Sequence, residues 1–314
     1  MIVGSPPLPM PSGNLREWGC KPCGNARVHE YRDSAAAPGS SEIDRPPTDE
    51  RPFVNDHNAA AAASELLRLH QNPTLLTVVN VWDVITAKVV TDVEGTQALA
   101  TASHSIAASR GYEDGENIPV EEMIAEVARI AKGTHLPVSA DLEGGYGDAP
   151  ETIRKAIGVG VVGANLEDQM KPLADAAAQV EAVMQAAASE GVPDFVLNAR
   201  TDTFVKAGDR APEEVLADAV ERGKAYLDAG APVVFVPGRL NEEQISTLVD
   251  ALGPQRLTLI GIPGLPSLAR LEEMGVARVS YGPMSQNVAL TALAKLVESV
   301  LDGGGVPEDM RMLN

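Results

Sequence analysis

Eight short apolar runs, separated by longer amphipathic stretches, recur along most of this chain and constrain its fold more than any other feature. The runs are LLTVVN (75–80), QALATA (97–102), PVSAD (137–141), VGANLED (162–168), FVLNARTD (195–202), VVFVP (233–237), LTLIG (257–261) and ARVSYG (277–282). Between them helices are predicted over 82–92, 120–132, 150–159, 174–190, 212–229, 241–252, 265–274 and 285–301, and an Ala-rich helix over 57–70 is expected to cover the barrel's bottom. Continuous rather than alternating hydrophobicity marks strands buried on both faces. Eight βα units over about 250 residues predict an α/β fold, a (β/α)8 TIM barrel. The competing open doubly wound sheet carries a Gly-rich dinucleotide fingerprint after its first strand. Here that turn reads NVWD (80–83), so the closed barrel is preferred.

Barrels of this kind build their sites at the carboxyl ends of the strands. Reading those ends in order gives Trp82 and Asp83, then Ser103, His104 and Ser105, then Asp141 and Glu143, then Glu167 and Asp168, then Asn198, Arg200 and Asp202. Acids at consecutive strand ends, faced by one arginine, point to a metal and an anionic ligand. Asp141 and Glu143, two apart, are expected to project to one side of a strand and share a hard cation such as Mg²⁺, with Mn²⁺ an acceptable substitute. Gly144, Gly145 and Gly147 leave little bulk beside that ion. Arg200 suits a bidentate carboxylate clamp; the alternative is a barrel-mouth salt bridge to Asp202 or Glu167. Trp82 is placed as a pocket wall or as helix-start packing.

The runs NVWDVITAKVV, ATASHSIAASRGYEDGE, SADLEGGYGD, GANLEDQ and NARTD, in that order, resemble the isocitrate lyase and phosphoenolpyruvate mutase superfamily over about 57–301. The resemblance implies a barrel holding a 2-oxo acid or its enolate on Mg²⁺, often in a tetramer whose last helix is swapped between neighbours. It implies that Asp141 is the direct metal ligand and that Glu143, Glu167 and Asp114 hold metal-bound waters. It further implies that Arg200 clamps a substrate carboxylate and that Ser103, with His104, cradles the other end. Superfamily lyases acting on isocitrate or methylisocitrate carry a Cys-containing lid after the fourth strand. Here LEDQ leads almost directly into a helix, and the only cysteines are Cys20 and Cys23, so isocitrate lyase activity is not expected. Polar residues found in relatives after the sixth and seventh strands are replaced by Val236, Pro237, Gly238 and Ile262. His104, Tyr146, Arg110 or a metal-bound water is left to move the proton.

Two functional classes follow. One is a Mg²⁺-dependent lyase, hydrolase or phosphonomutase that cleaves or rearranges a C–C or C–P bond next to the keto group of a small 2-oxo or dicarboxylic acid, oxaloacetate-like or phosphonopyruvate-like. The other is a non-catalytic or regulatory barrel that binds a carboxylate metabolite. A net charge of −19 disfavours nucleic acid and anionic membranes as partners. No run reaches the roughly 18 apolar residues of a membrane span and no secretory signal opens the chain, so a cytoplasmic enzyme is expected. The apolar last helix fits a homo-oligomer, dimer or tetramer. Residues 1–56, rich in Pro, Gly, Ser and charge, are read as a disordered or loosely attached extension preceding a barrel over 57–314; Cys20 and Cys23 are read as incidental thiols.

Overall fold

The computed structural model describes residues 59–313. The expected 1–56 extension, with Cys20 and Cys23, lies outside the described residues. The apolar runs form parallel strands β1 (Leu76–Val78), β2 (Asn80–Val81), β3 (Leu99–Thr101), β4 (Val138–Asp141), β5 (Gly163–Glu167), β6 (Val196–Arg200), β7 (Val233–Phe235), β8 (Leu257–Ile260) and β9 (Arg278–Ser280). Their order is β1-β9-β8-β7-β6-β5-β4-β3-β2. β1 and β2 are two parts of the first run, interrupted at Val79. β1 pairs with β9 and β2 with β3, so one run joins both edges and closes an eight-stave barrel.

The helices are α1 (Ala59–Gln71), α2 (Val84–Thr91), α3 (Ser103–Ser109), α4 (Val120–Lys132), α5 (Ala149–Gly158), α6 (Leu173–Ser189), α7 (Pro212–Asp228), α8 (Glu242–Leu252), α9 (Leu268–Glu273) and α10 (Met284–Leu301). All the predicted spans but that of α9 match to within two residues, and the shifted starts of α2 and α9 have local causes. α2 starts after Asp83 because Asp83 accepts from the Thr86 N–H while Thr86 bonds back to the Asp83 N–H, a capping box. α9 starts at Leu268 because Pro266 disfavours a helical Leu265 and Ser267 caps Arg270. α3 lies outside the predicted helices.

Helix α1 closes the amino end of the barrel. Its Leu66 is fully buried, and a Cβ on Gly163, the first residue of β5, would lie 2.8 Å from Leu66 Cδ2. Gly163 therefore makes room for the plug. The lumen above is polar. Asn198 Nδ2 donates to Asn165 Oδ1 at 2.8 Å and Thr258 Oγ1 donates to Asn198 Oδ1 at 2.6 Å. Arg278 on β9 reaches across to Ser139 on β4, its Nη1 donating to Oγ at 3.3 Å. Burial lowers the pKa of Arg278 to about 10, against the opposing charge of Asp141.

His70, at the end of α1, is wholly buried with Nδ1 2.8 Å from the Leu66 carbonyl. Burial first, and then the Arg278 charge, pull its pKa down from 6.5 to about 3. The folded pKa is depressed, so the unfolded chain binds the extra proton. Stability from this group is complete above the unfolded pKa and is lost as pH falls from 6.5 towards 3. Urea unfolding at pH 6 and pH 5 is expected to show wild type losing about 1 kcal/mol more than His70→Gln between the two. Equal losses would contradict a buried neutral His70.

Candidate active site

The carboxyl ends of β4, β5 and β6 bring Asp141, Glu167 and Arg200 together. Asp141 pairs in register with Asn165, and Glu167 with Arg200, so these residues share the inward face of adjacent strands. Arg200 is the centre of the group. Its Nη1 lies 2.8 Å from Glu167 Oε2, and Nη2 and Nε each lie 2.8 Å from Asp202 Oδ1. The salt bridges weighed as the alternative reading are therefore present. Nε also donates a hydrogen bond to Asp202, and the side chain keeps 22% of its surface exposed, so part of the guanidinium is open at the mouth. Burial pushes the Glu167 carboxyl up to about 7; Arg200 opposes the rise, while Asp202 and Asp141 add to it. Burial also works against the Arg200 charge, but Glu167, Asp202 and Asp141 outweigh it and hold its pKa above the ordinary value.

Asp141 ends β4. Its Oδ2 accepts from both the N–H and the Oγ of Ser103, at 3.1 and 2.8 Å, and its N–H donates to Thr101 Oγ1 at 2.9 Å. Asp141 Oδ1 has no hydrogen bond among the described residues. Ser103 thus orients Asp141 from the first turn of α3.

Glu143 differs from expectation. The strand stops at Asp141, and Glu143 already has a φ of 51°, so strand alternation does not carry it to the side of Asp141. A turn does the positioning instead. Glu143 Oε2 accepts from the Glu116 N–H, and Oε1 accepts from Tyr146 Oη at 2.9 Å. Burial raises the Glu143 pKa; its two hydrogen bonds oppose the rise, and Asp114 and Asp141 add to it. Burial and the Glu143 charge raise the Tyr146 pKa, so its phenol stays protonated and donating.

Glu116, missed in the sequence, links three loops. Its carboxylate accepts from the Tyr146 N–H at 2.5 Å and from Gln169 Nε2 at 3.5 Å. Gly144 lies beneath Gln169: a Cβ there would lie 2.3 Å from Nε2 and would displace the Gln169 amide. Glu116, Glu143, Tyr146, Gln169 and Met170 all have positive φ. Such conformations cost about 1–3 kcal/mol each and cluster at functional sites, a signal invisible to sequence periodicity.

His104 Nδ1 lies 3.5 Å from Asp114 Oδ2, both side chains about half exposed. The half-buried Trp82 packs against the core where α2 begins. Arg110 pairs with buried Glu126 on α4. Asp168 serves as an anchor: it accepts from Tyr226 Oη at 2.7 Å, Arg222 Nη1 at 3.1 Å and the Asp202 N–H at 3.1 Å. Only residues 169–172 separate Asp168 from α6, so no lid intervenes there. On the next two strands, register puts Phe235, beside Arg200, and Ile260 on the inward face, and Val236 and Pro237 follow, buried. That part of the mouth is apolar.

No group of three or more His, Cys, Asp or Glu among the described residues is gathered as a ready metal cage. The donor chemistry nonetheless fits Mg²⁺, which keeps several waters and takes only one or two carboxylates. Asp141 offers a free oxygen, and Glu143 and Glu167 each feel its charge. A divalent cation would relieve that mutual repulsion.

Fold and site together define a (β/α)8 barrel with acids and one arginine at its mouth. The chain belongs to the phosphoenolpyruvate phosphomutase family, whose pattern matches residues 66–301, in keeping with the superfamily resemblance. The uncharacterized protein Rv1998c of Mycobacterium tuberculosis (strain ATCC 25618 / H37Rv) is 32% identical over 247 residues, covering 77% of this chain and 91% of that protein. The 2,3-dimethylmalate lyase of Eubacterium barkeri is 28% identical over 255 residues, covering 76% and 85%. The solved structure of oxaloacetate acetylhydrolase in complex with the product oxalate superposes with a TM-score of 0.71 at 25% identity, covering 80% of this chain and 91% of that one. No helix among the described residues is long and apolar enough to cross a membrane.

Proposed function

We propose that this chain is a Mg²⁺-dependent cytoplasmic enzyme that cleaves or rearranges the bond next to the keto group of a small 2-oxo acid, with Mn²⁺ able to substitute. The observation that carries the reading is Arg200, fixed between Glu167 and Asp202 and still partly exposed, on the strand rows that carry Asp141. The names of two relatives, a 2,3-dimethylmalate lyase and an oxaloacetate acetylhydrolase, point to the same substrate chemistry. Asp141, with Glu143, Glu167 and Asp114 around it, would hold the cation, which when bound polarises the keto group and favours charge developing on its oxygen. Arg200 binds and orients a substrate carboxylate. Ser103 and Tyr146 fix Asp141 and Glu143, and His104, paired with Asp114, is the exposed group able to move a proton at the mouth. The missing cysteine and lid keep isocitrate lyase chemistry outside the proposal. Incubation with oxaloacetate, phosphonopyruvate, isocitrate and methylisocitrate, with Mg²⁺ and with chelator, tests it through the products formed.

The same reading includes a homo-oligomer, dimer or tetramer. Gln286 is the only buried residue of α10; Val288 and Leu301 are 71% and 80% exposed, and Leu290, Leu293 and Val297 are exposed with them. Burying one such side chain is worth about 1.5–3 kcal/mol, so a second copy is the natural cover. Light scattering is expected to give a dimer or tetramer that Leu293→Glu with Val297→Glu converts to monomer. A monomeric wild type would contradict it.

A further inference from the structure

We propose that Lys206 is a second anion-binding side chain beside Arg200 and selects 2-oxo acids that carry a second negative group, a carboxylate or a phosphonate. The inference rests on the function proposed above and narrows its substrate class. Asp202 is buried and serves two cations. Its Oδ1 takes Arg200, and its Oδ2 lies 2.9 Å from Lys206 Nζ. An exposed lysine in a salt bridge is usually incidental, but this one is placed by the fold. The Lys206 N–H donates to the Asp202 carbonyl at 2.8 Å, closing a turn that folds the side chain back over Asp202.

The loop carrying it is pinned. Arg210 donates to the Thr203 carbonyl at 3.1 Å and the Ala207 carbonyl at 3.3 Å, and pairs with Asp218 at 2.7 Å. Phe204 packs on Gly238, where a Cβ would lie 2.9 Å from Phe204 Cβ. From below, the Asp202 N–H is held by Asp168. An ammonium has three donors, and Asp202 is the only ionic partner of Lys206 among the described residues. The side chain is 46% exposed, leaving the remaining donors open to a ligand. Asp202 holds Arg200 on one oxygen and Lys206 on the other, which places the two cations side by side at this end of the barrel. Phe235, beside Arg200 in register, and Ile260 offer no cation, so a second anionic group of the substrate has its best partners at Arg200 and Lys206.

The test is calorimetric binding of pyruvate, oxaloacetate and phosphonopyruvate to the full chain with saturating Mg²⁺, for wild type, Lys206→Met and Lys206→Arg. Lys206→Met is expected to weaken oxaloacetate and phosphonopyruvate about tenfold relative to pyruvate, with Lys206→Arg restoring most of the loss; the comparison with pyruvate in the same variant separates this from any loss of stability. An equal loss for all three ligands, or no loss, overturns the role of Lys206 while leaving the proposed function standing. A wild type that binds none of them overturns both.

Discussion

Asp141→Asn is expected to lower cation-dependent turnover about a thousandfold while leaving the melting temperature nearly unchanged. Asparagine keeps an oxygen for the Ser103 N–H and Oγ, so the local hydrogen bonds survive and the lost charge is isolated. Lewis-acid stabilisation is worth several kcal/mol, and each 1.36 kcal/mol is tenfold in rate, which gives about three orders of magnitude. Initial rates across a Mg²⁺ titration, beside a thermal melt, make the measurement. Asp141→Ala is a poorer probe, because it also strips Ser103 of its acceptor. Undiminished turnover in Asp141→Asn would sink the metal assignment.

Arg200→Met has a double expected effect. Turnover per unit substrate concentration falls about a hundredfold to a thousandfold, since removing one partner of a buried charge pair costs about 2–5 kcal/mol. Stability also falls, by about 3–5 kcal/mol, because Glu167 and Asp202 lose their common counter-charge. Arg200→Lys separates the two. A lysine restores the charge, and with it much of the stability, but cannot form the planar fork, so activity stays low. Activity restored in step with stability would show Arg200 to be only a salt-bridge partner.

Much of this was readable in the sequence, for identifiable reasons. Strands buried on both faces must be continuously apolar, so all eight staves stood out, and their carboxyl ends carried Asp141, Glu167 and Arg200 with them. Closure through a broken first strand was not readable, because Val79 is as apolar as its neighbours. Helix α3 was missed since Ser-rich SHSIAAS lacks a side-chain N-cap and an apolar stripe. The shared orientation of Asp141 and Glu143 was argued from strand alternation, which ends at Asp141. Glu116 escaped notice because its partners, Glu143 and Tyr146, lie 27 and 30 residues away on another loop. Lys206 was within reach: its spacing of four from Asp202 is the signature of a single helical turn.

The apolar part of the mouth, with Phe235, Val236, Pro237 and Ile260, is what gives the non-catalytic alternative its footing. A barrel that only binds a carboxylate metabolite needs Arg200 but no developing charge to stabilise. The acids around Asp141 argue the other way, since their mutual repulsion is costly unless a cation joins them. Product analysis by NMR, with the full chain, the 2-oxo acid panel and either Mg²⁺ or chelator, tests the central claim most directly. The expected result is Mg²⁺-dependent consumption of one compound, stopped by chelator and by Asp141→Asn. Consumption of none, with ligand resonances still shifting on addition of protein, would contradict it and leave a carboxylate-binding barrel without turnover.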